Sequence, residues 1–160
     1  MSLRSSILFI FALILLVSCD KNRVFDEYKS VGSSWNKDSI VSFDLPEMDT
    51  LKAFNLYVNV RDNDNYPYNN LFLIVALDRP DGMTKVDTLE YIMADPEGNL
   101  LGNGFSDIKE SKLFYDGKFK FKKGPYRVRI RHAVRENGKV TGVKELNGIT
   151  EVGFRIESLE

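Results

Sequence analysis

The sequence predicts an all-β protein: an antiparallel β-sandwich, jelly-roll or immunoglobulin-like, that follows a cleaved signal peptide and a short tether. Three observations carry that expectation. From residue 39 onward apolar residues recur at every second position, the period that sends alternate side chains to opposite faces of a strand. Clusters of turn-forming residues, such as Arg79-Pro80-Asp81-Gly82 and Glu136-Asn137-Gly138-Lys139, separate these runs at short intervals. No stretch places apolar residues at sustained helical spacing, and Ser106 to Leu113 has room for one or two helical turns at most. A barrel is the second choice of architecture.

The elements follow in chain order. Residues 1–18 have the three parts of an export signal: Arg4 as the basic start, the apolar run Ile7 to Val17, and small Ser18 at the cut. That run is well short of the roughly twenty residues that cross a hydrocarbon core of ~30 Å, and Asp20, Lys21, Asn22 and Arg23 follow at once. Leu16-Val17-Ser18-Cys19 resembles the lipobox of bacterial lipoproteins, in which the cysteine is acylated before the cut. Cys19 is therefore the expected lipidation site. It is the chain's single cysteine, so once acylated it leaves no thiol for a disulfide or a metal. Residues 19–34, polar and ending in Gly32-Ser33-Ser34, read as the lipidated N-terminus and tether. Residues 35–160 read as the sandwich domain.

Within that domain Val41, Phe43 and Leu45 alternate with Ser42 and Asp44, and Phe54, Leu56, Val58 and Val60 alternate with Asn55, Tyr57, Asn59 and Arg61. Leu71 to Leu77 is continuously apolar and reads as a strand covered on both faces. Val86 to Met93 forms another strand, and a short Leu100-Leu101 segment follows. Phe119 to Phe121 and Tyr126 to His132 flank Lys122-Lys123-Gly124-Pro125, a hairpin signature. Val140 to Val143 and the alternating Val152, Phe154 and Ile156 complete seven to nine expected strands.

The chain has 160 residues, with 22 basic against 23 acidic side chains. Losing the signal removes only Arg4 among these, which leaves a slightly acidic chain sized for one core. That balance gives no electrostatic reason to expect nucleic acid.

Candidate chemistry is sparse. His132, the only histidine, falls in phase with inward-facing Tyr126, Val128 and Ile130, and no nucleophile accompanies it. Asp62-Asn63-Asp64-Asn65 resembles the start of a calcium loop, but Tyr66 and Pro67 break the EF-hand pattern. No catalytic residue, metal site or cofactor is expected. Tyr66 and Tyr68, with Asn70, have the composition of an aromatic platform for a sugar or a partner strand. They suit equally a packed loop fixed by its own hydroxyls. Arg127, Arg129 and Arg131 share the outward face of one strand, with Arg135 beyond. They form either a docking stripe for an acidic partner or a solvated face paired across strands with carboxylates such as Asp44 or Glu157.

Several motifs in fixed order resemble the gliding-motility lipoprotein family GldH. They are Cys19, Trp35-Asn-Lys-Asp-Ser, Val60-Arg-Asp-Asn-Asp-Asn-Tyr-Pro-Tyr-Asn-Asn-Leu-Phe-Leu73, Pro80, Asp87-Thr88-Leu89, Gly98 to Gly104, Gly124-Pro125-Tyr126, and Gly148 to Glu157. One departure is Val134-Arg135, where the family pattern has a Met-Arg pair. The resemblance implies a non-enzymatic accessory lipoprotein of the cell envelope, held to a membrane by lipid on Cys19 and working with other motility or secretion proteins. The outer membrane, with the domain facing the periplasm, is the expected location; Asp20 after the cysteine would favour the inner membrane under one sorting rule. A glycan-binding lipoprotein using Tyr66 and Tyr68 is the alternative.

Overall fold

The computed structural model describes residues 20–104 and 106–159. Cys19 and the signal segment lie outside the described residues. Among those described there are ten strands and no helix: β1 Arg23–Ser30, β2 Ser34–Asn36, β3 Val41–Leu45, β4 Phe54–Asp62, β5 Asn70–Asp78, β6 Thr84–Ile92, β7 Lys109–Phe119, β8 Tyr126–His132, β9 Glu145–Asn147 and β10 Ile149–Ser158. All pairings between strands are antiparallel.

Two four-stranded sheets, β1-β10-β4-β7 and β3-β8-β5-β6, enclose the core, and the β2-β9 ribbon stands apart from both. With the ribbon set aside, one sheet takes the first, eighth, third and sixth long strands and the other takes the second, seventh, fourth and fifth. That interleaving is the double Greek key of a jelly roll, which decides between the two sandwich types. Only β5 and β6 are both consecutive and paired among the long strands.

The core follows the alternation in the sequence. Leu56, Val58 and Val60 on β4 and Val152, Phe154 and Ile156 on β10 are fully buried, facing Leu71, Leu73, Val75 and Leu77 on β5 and Val128 and Ile130 on β8. Phe43 stacks on Phe154 with centroids 6.5 Å apart, which ties the sheets together. Burying each such side chain contributes roughly 1.5–3 kcal/mol. β5 is covered fully on its inner face only: Phe72 and Ile74, on the other face, are half-buried.

Four sequence expectations need correction here. Arg23–Ser30, assigned to the tether, is the edge strand β1, paired with β10 from Arg23↔Glu157 to Ser30↔Glu151. Its side chains are mostly polar because only Phe25 is buried, as an edge strand permits. The segment read as a helical turn is largely β7, whose inward residues Ser111 and Tyr115 alternate with exposed Lys112 and Phe114 and whose pairing with β4 becomes irregular only from Phe114 to Phe119. Lys122 to Pro125 closes no hairpin, because β7 and β8 belong to different sheets. What joins the flanks is aromatic packing: Phe121 lies 4.8 Å from Phe119 and 5.0 Å from Tyr126, centroid to centroid. The Val140 to Val143 segment is likewise not a strand; its place in the fold is taken by β9.

The topology sorts the loops to two ends. The start of β1, the end of β10 and the loops 46–53, 79–83 and 120–125 share the terminal end, where Ser158 N–H donates to Asn22 O at 2.7 Å. Loops 63–69, 93–108 and 133–144 gather at the opposite, ribbon end with β2 and β9. There Trp35 is fully buried and closes the core.

Candidate interaction surface

β8 alternates Tyr126, Val128, Ile130 and His132 inward with Arg127, Arg129 and Arg131 outward. Its neighbours decide what each arginine does. Arg127 Nε donates to Asp44 Oδ1 on β3 at 2.6 Å. Arg129 makes a bidentate pair with Asp78 on β5, both bonds 2.8 Å, and that guanidinium holds the Asp78 carboxyl below its ordinary range. Glu157 takes no part in this pairing; its partners are Lys112 and Arg155 on the other sheet. Arg131 stands opposite Ile74, which offers no charge, and among the described residues it has no ion-pair partner.

The unpaired arginine opens a different kind of surface. Arg131, Arg135 and Lys37 border a groove of about 250 Å³ whose lining includes Ile74, Val134 and Val143. An adjoining groove of about 500 Å³ shares Ile74, Ala133 and Arg135 and adds Phe72 and Thr88. Lys37 and Arg135 also lack ion pairs among the described residues. The sequence pointed to Arg131 and Arg135 through strand phase; Lys37 gave no signal, because the β1-to-β3 connection brings it here.

The tyrosine loop is built inward. Tyr66 is 5% exposed, its hydroxyl donates to Asn70 O at 2.7 Å, and its ring meets Tyr68 edge to face at 5.9 Å. Gly148 fits beneath the loop, and a Cβ there would stand 2.2 Å from Tyr66 N. Tyr66 therefore has no open face for a ligand, whereas Tyr68 is half-buried and Asn70 gives its amide to Glu90 at 2.8 Å. These contacts are those of a loop fixed by its own side chains.

Two residues that the sequence singled out, His132 and Asp62, are buried. His132 Nε2 bonds to the Trp35 carbonyl at 2.9 Å and Nδ1 has no partner; burial lowers its pKa. Asp62 is fully buried with both carboxylate oxygens unpartnered, and burial pushes its pKa up to about 7. Among the described residues no group of three or more His, Cys, Asp or Glu is arranged to hold a metal.

Residues 23–156 match the family described as GldH lipoprotein. The chain belongs to the GldH lipoprotein family. Gliding motility lipoprotein GldH of Flavobacterium johnsoniae is 65% identical over 157 residues, 98% of each chain. A GldH homolog from Christiangramia forsetii is 52% identical over 154 residues, 96% of this chain and 94% of that one. GldH membership makes this a lipid-anchored cell-envelope lipoprotein of gliding motility. Among solved structures, the infectious bursal disease virus VP2 subviral particle is similar at TM-score 0.37 and 10% identity, over 83% of this chain and 32% of that one. Dimeric latent PorU from Porphyromonas gingivalis gives TM-score 0.38 and 8% identity, over 86% of this chain and 13% of its own.

Proposed function

We propose that this GldH-family protein is a non-enzymatic accessory component of the motility and secretion machinery, anchored through lipid on Cys19 and acting through protein contacts at its ribbon end. The observation that carries the reading is a polarity of the domain. The chain enters at the terminal end, while Arg131, Arg135 and Lys37, free of ion pairs among the described residues, border with Asp38 a groove of mixed polarity at the other, which adjoins the more apolar groove of Phe72 and Ile74. A mainly cationic border beside an apolar groove suits a partner segment that brings carboxylates and an apolar side chain. The periplasmic face of the outer membrane is the location this reading assigns.

The test is affinity purification of the tagged, lipidated protein from its native membrane after mild crosslinking, with Cys19→Ala as the unanchored control. Motility or secretion proteins recovered with the parent, and lost with Arg131→Glu/Arg135→Glu, are the expected result. Equal recovery with that double variant removes the groove from the reading, and recovery of glycans alone removes the protein-contact role.

A further inference from the structure

We infer that the terminal end of the sandwich is a second membrane contact, seating the domain on anionic phospholipid beside its lipid anchor. The inference rests on the lipid-anchor reading and extends it from a point of attachment to a docked face.

No slack separates the anchor from the domain. Asp20 is ion-paired with Arg155 on β10, and β1 begins at Arg23, already paired with Glu157. Lipid on the preceding residue would therefore hold the terminal end close to the headgroups. That end is basic. Lys118, Lys120, Lys122 and Lys123 are all exposed where β7 leaves its sheet and turns towards β8. Of these four only Lys122 has an ion-pair partner among the described residues, Asp81 at a loose 3.8 Å.

The adjoining loop between β3 and β4 supplies an apolar contact. Asp49 Oδ1 accepts Leu51 N–H at 2.9 Å, a turn that presents Leu51 at 90% exposure. Lys52 follows, also exposed. Glu47 and Asp49 on this loop subtract from the positive field, but Lys118 at the end of β7 and the three lysines of the neighbouring loop outnumber them. One or two acyl chains supplemented by a basic patch form the usual two-signal anchor, and each Lys near an anionic surface contributes about 1 kcal/mol.

The test uses the mature chain with Cys19→Ser, so that acylation cannot carry it to lipid. Co-sedimentation is measured with phosphatidylcholine vesicles and with vesicles containing phosphatidylglycerol, at low and high salt. Binding is expected to need the acidic lipid, to weaken with salt, and to fall about 25-fold in Lys120→Ala/Lys123→Ala, at ~1 kcal/mol per lysine. Leu51→Ser lowers it further. Binding that ignores lipid charge, or that survives the double substitution in a protein melting like its parent, overturns the inference. Radiolabelled palmitate incorporation into the wild-type precursor, lost in Cys19→Ser, tests the anchor separately and can succeed when the vesicle assay fails.

Discussion

His132 and Trp35 form one unit at the ribbon end: the imidazole Nε2 lies 2.9 Å from the Trp35 carbonyl, and the two rings stand edge to face at 5.2 Å and 67°. Trp35 in turn donates its indole N–H to Ser39 O at 2.9 Å, so the unit stitches the β2 segment onto the core.

Burial lowers the His132 pKa in the folded protein, so protonation favours unfolding. This contribution to stability is full above the unfolded value of about 6.5 and is lost as pH falls below it. His132→Gln keeps a donor for the Trp35 carbonyl without titrating. It should be less stable than the parent by about 1–2 kcal/mol at pH 8, with the gap narrowing at pH 5. Denaturant melts at both values measure this; a constant gap would show that His132 does not titrate on unfolding.

Asp62 has the opposite sign. Its folded pKa of about 7 lies above the ordinary 3.8, so its contribution is full below about pH 4 and is lost as pH rises through 7. Replacing it with Asn should make the variant gain on the parent by about 2–3 kcal/mol between pH 5 and pH 8. Parallel stability profiles for the two proteins would refute the buried, unpaired carboxyl.

The β8 arginines should separate stability from binding. Arg129→Ala removes the bidentate pair with Asp78 and should cost about 0.5–1 kcal/mol. Arg131→Ala removes no ion pair and should change stability by less than about 0.5 kcal/mol, while weakening recovery of envelope partners in the crosslinking experiment. Chemical denaturation of both variants alongside that recovery makes the comparison; a large stability loss for Arg131→Ala would assign it a structural role instead.

Gly148 sits at φ +86° with the Tyr66 backbone against its α-carbon. An added methyl group meets both a disfavoured conformation and a neighbour that cannot swing aside. Gly148→Ala should cost about 2–3 kcal/mol, read as a lowered melting temperature with the sandwich retained. An unchanged melting temperature would mean that the 63–69 loop yields freely.

The sequence made legible those strands whose side chains divide cleanly between core and solvent, such as β4 and β10. It hid β1, where only Phe25 is buried and the outward side chains spend their charge on neighbours: Asp26 on Arg155, for example, at 3.1 Å. It hid β2 and β9 because three residues are too few to display a period. The false hairpin at 122–125 has the same origin as a true one, aromatic residues either side of Gly-Pro, yet they meet by packing across a corner rather than by ladder hydrogen bonds. At the candidate surface, strand phase put Arg127, Arg129 and Arg131 on one face, but which of them is neutralised depends on what β3 and β5 bring within reach: Asp44 opposite Arg127, Asp78 one diagonal step from Arg129, which itself faces Ala76, and only Ile74 opposite Arg131. That is a property of register, which a single strand does not reveal.

The absence of a loose tether also has a mechanical meaning. β1 runs from the terminal end towards the ribbon end and is bonded to β10 along its length. A pull between the membrane and a partner held at the ribbon end runs parallel to these strands, so it loads the β1–β10 hydrogen bonds side by side in shear rather than one after another. On the proposed reading, with lipid at one end and a partner at the other, such a lipoprotein would transmit tension without first paying out chain.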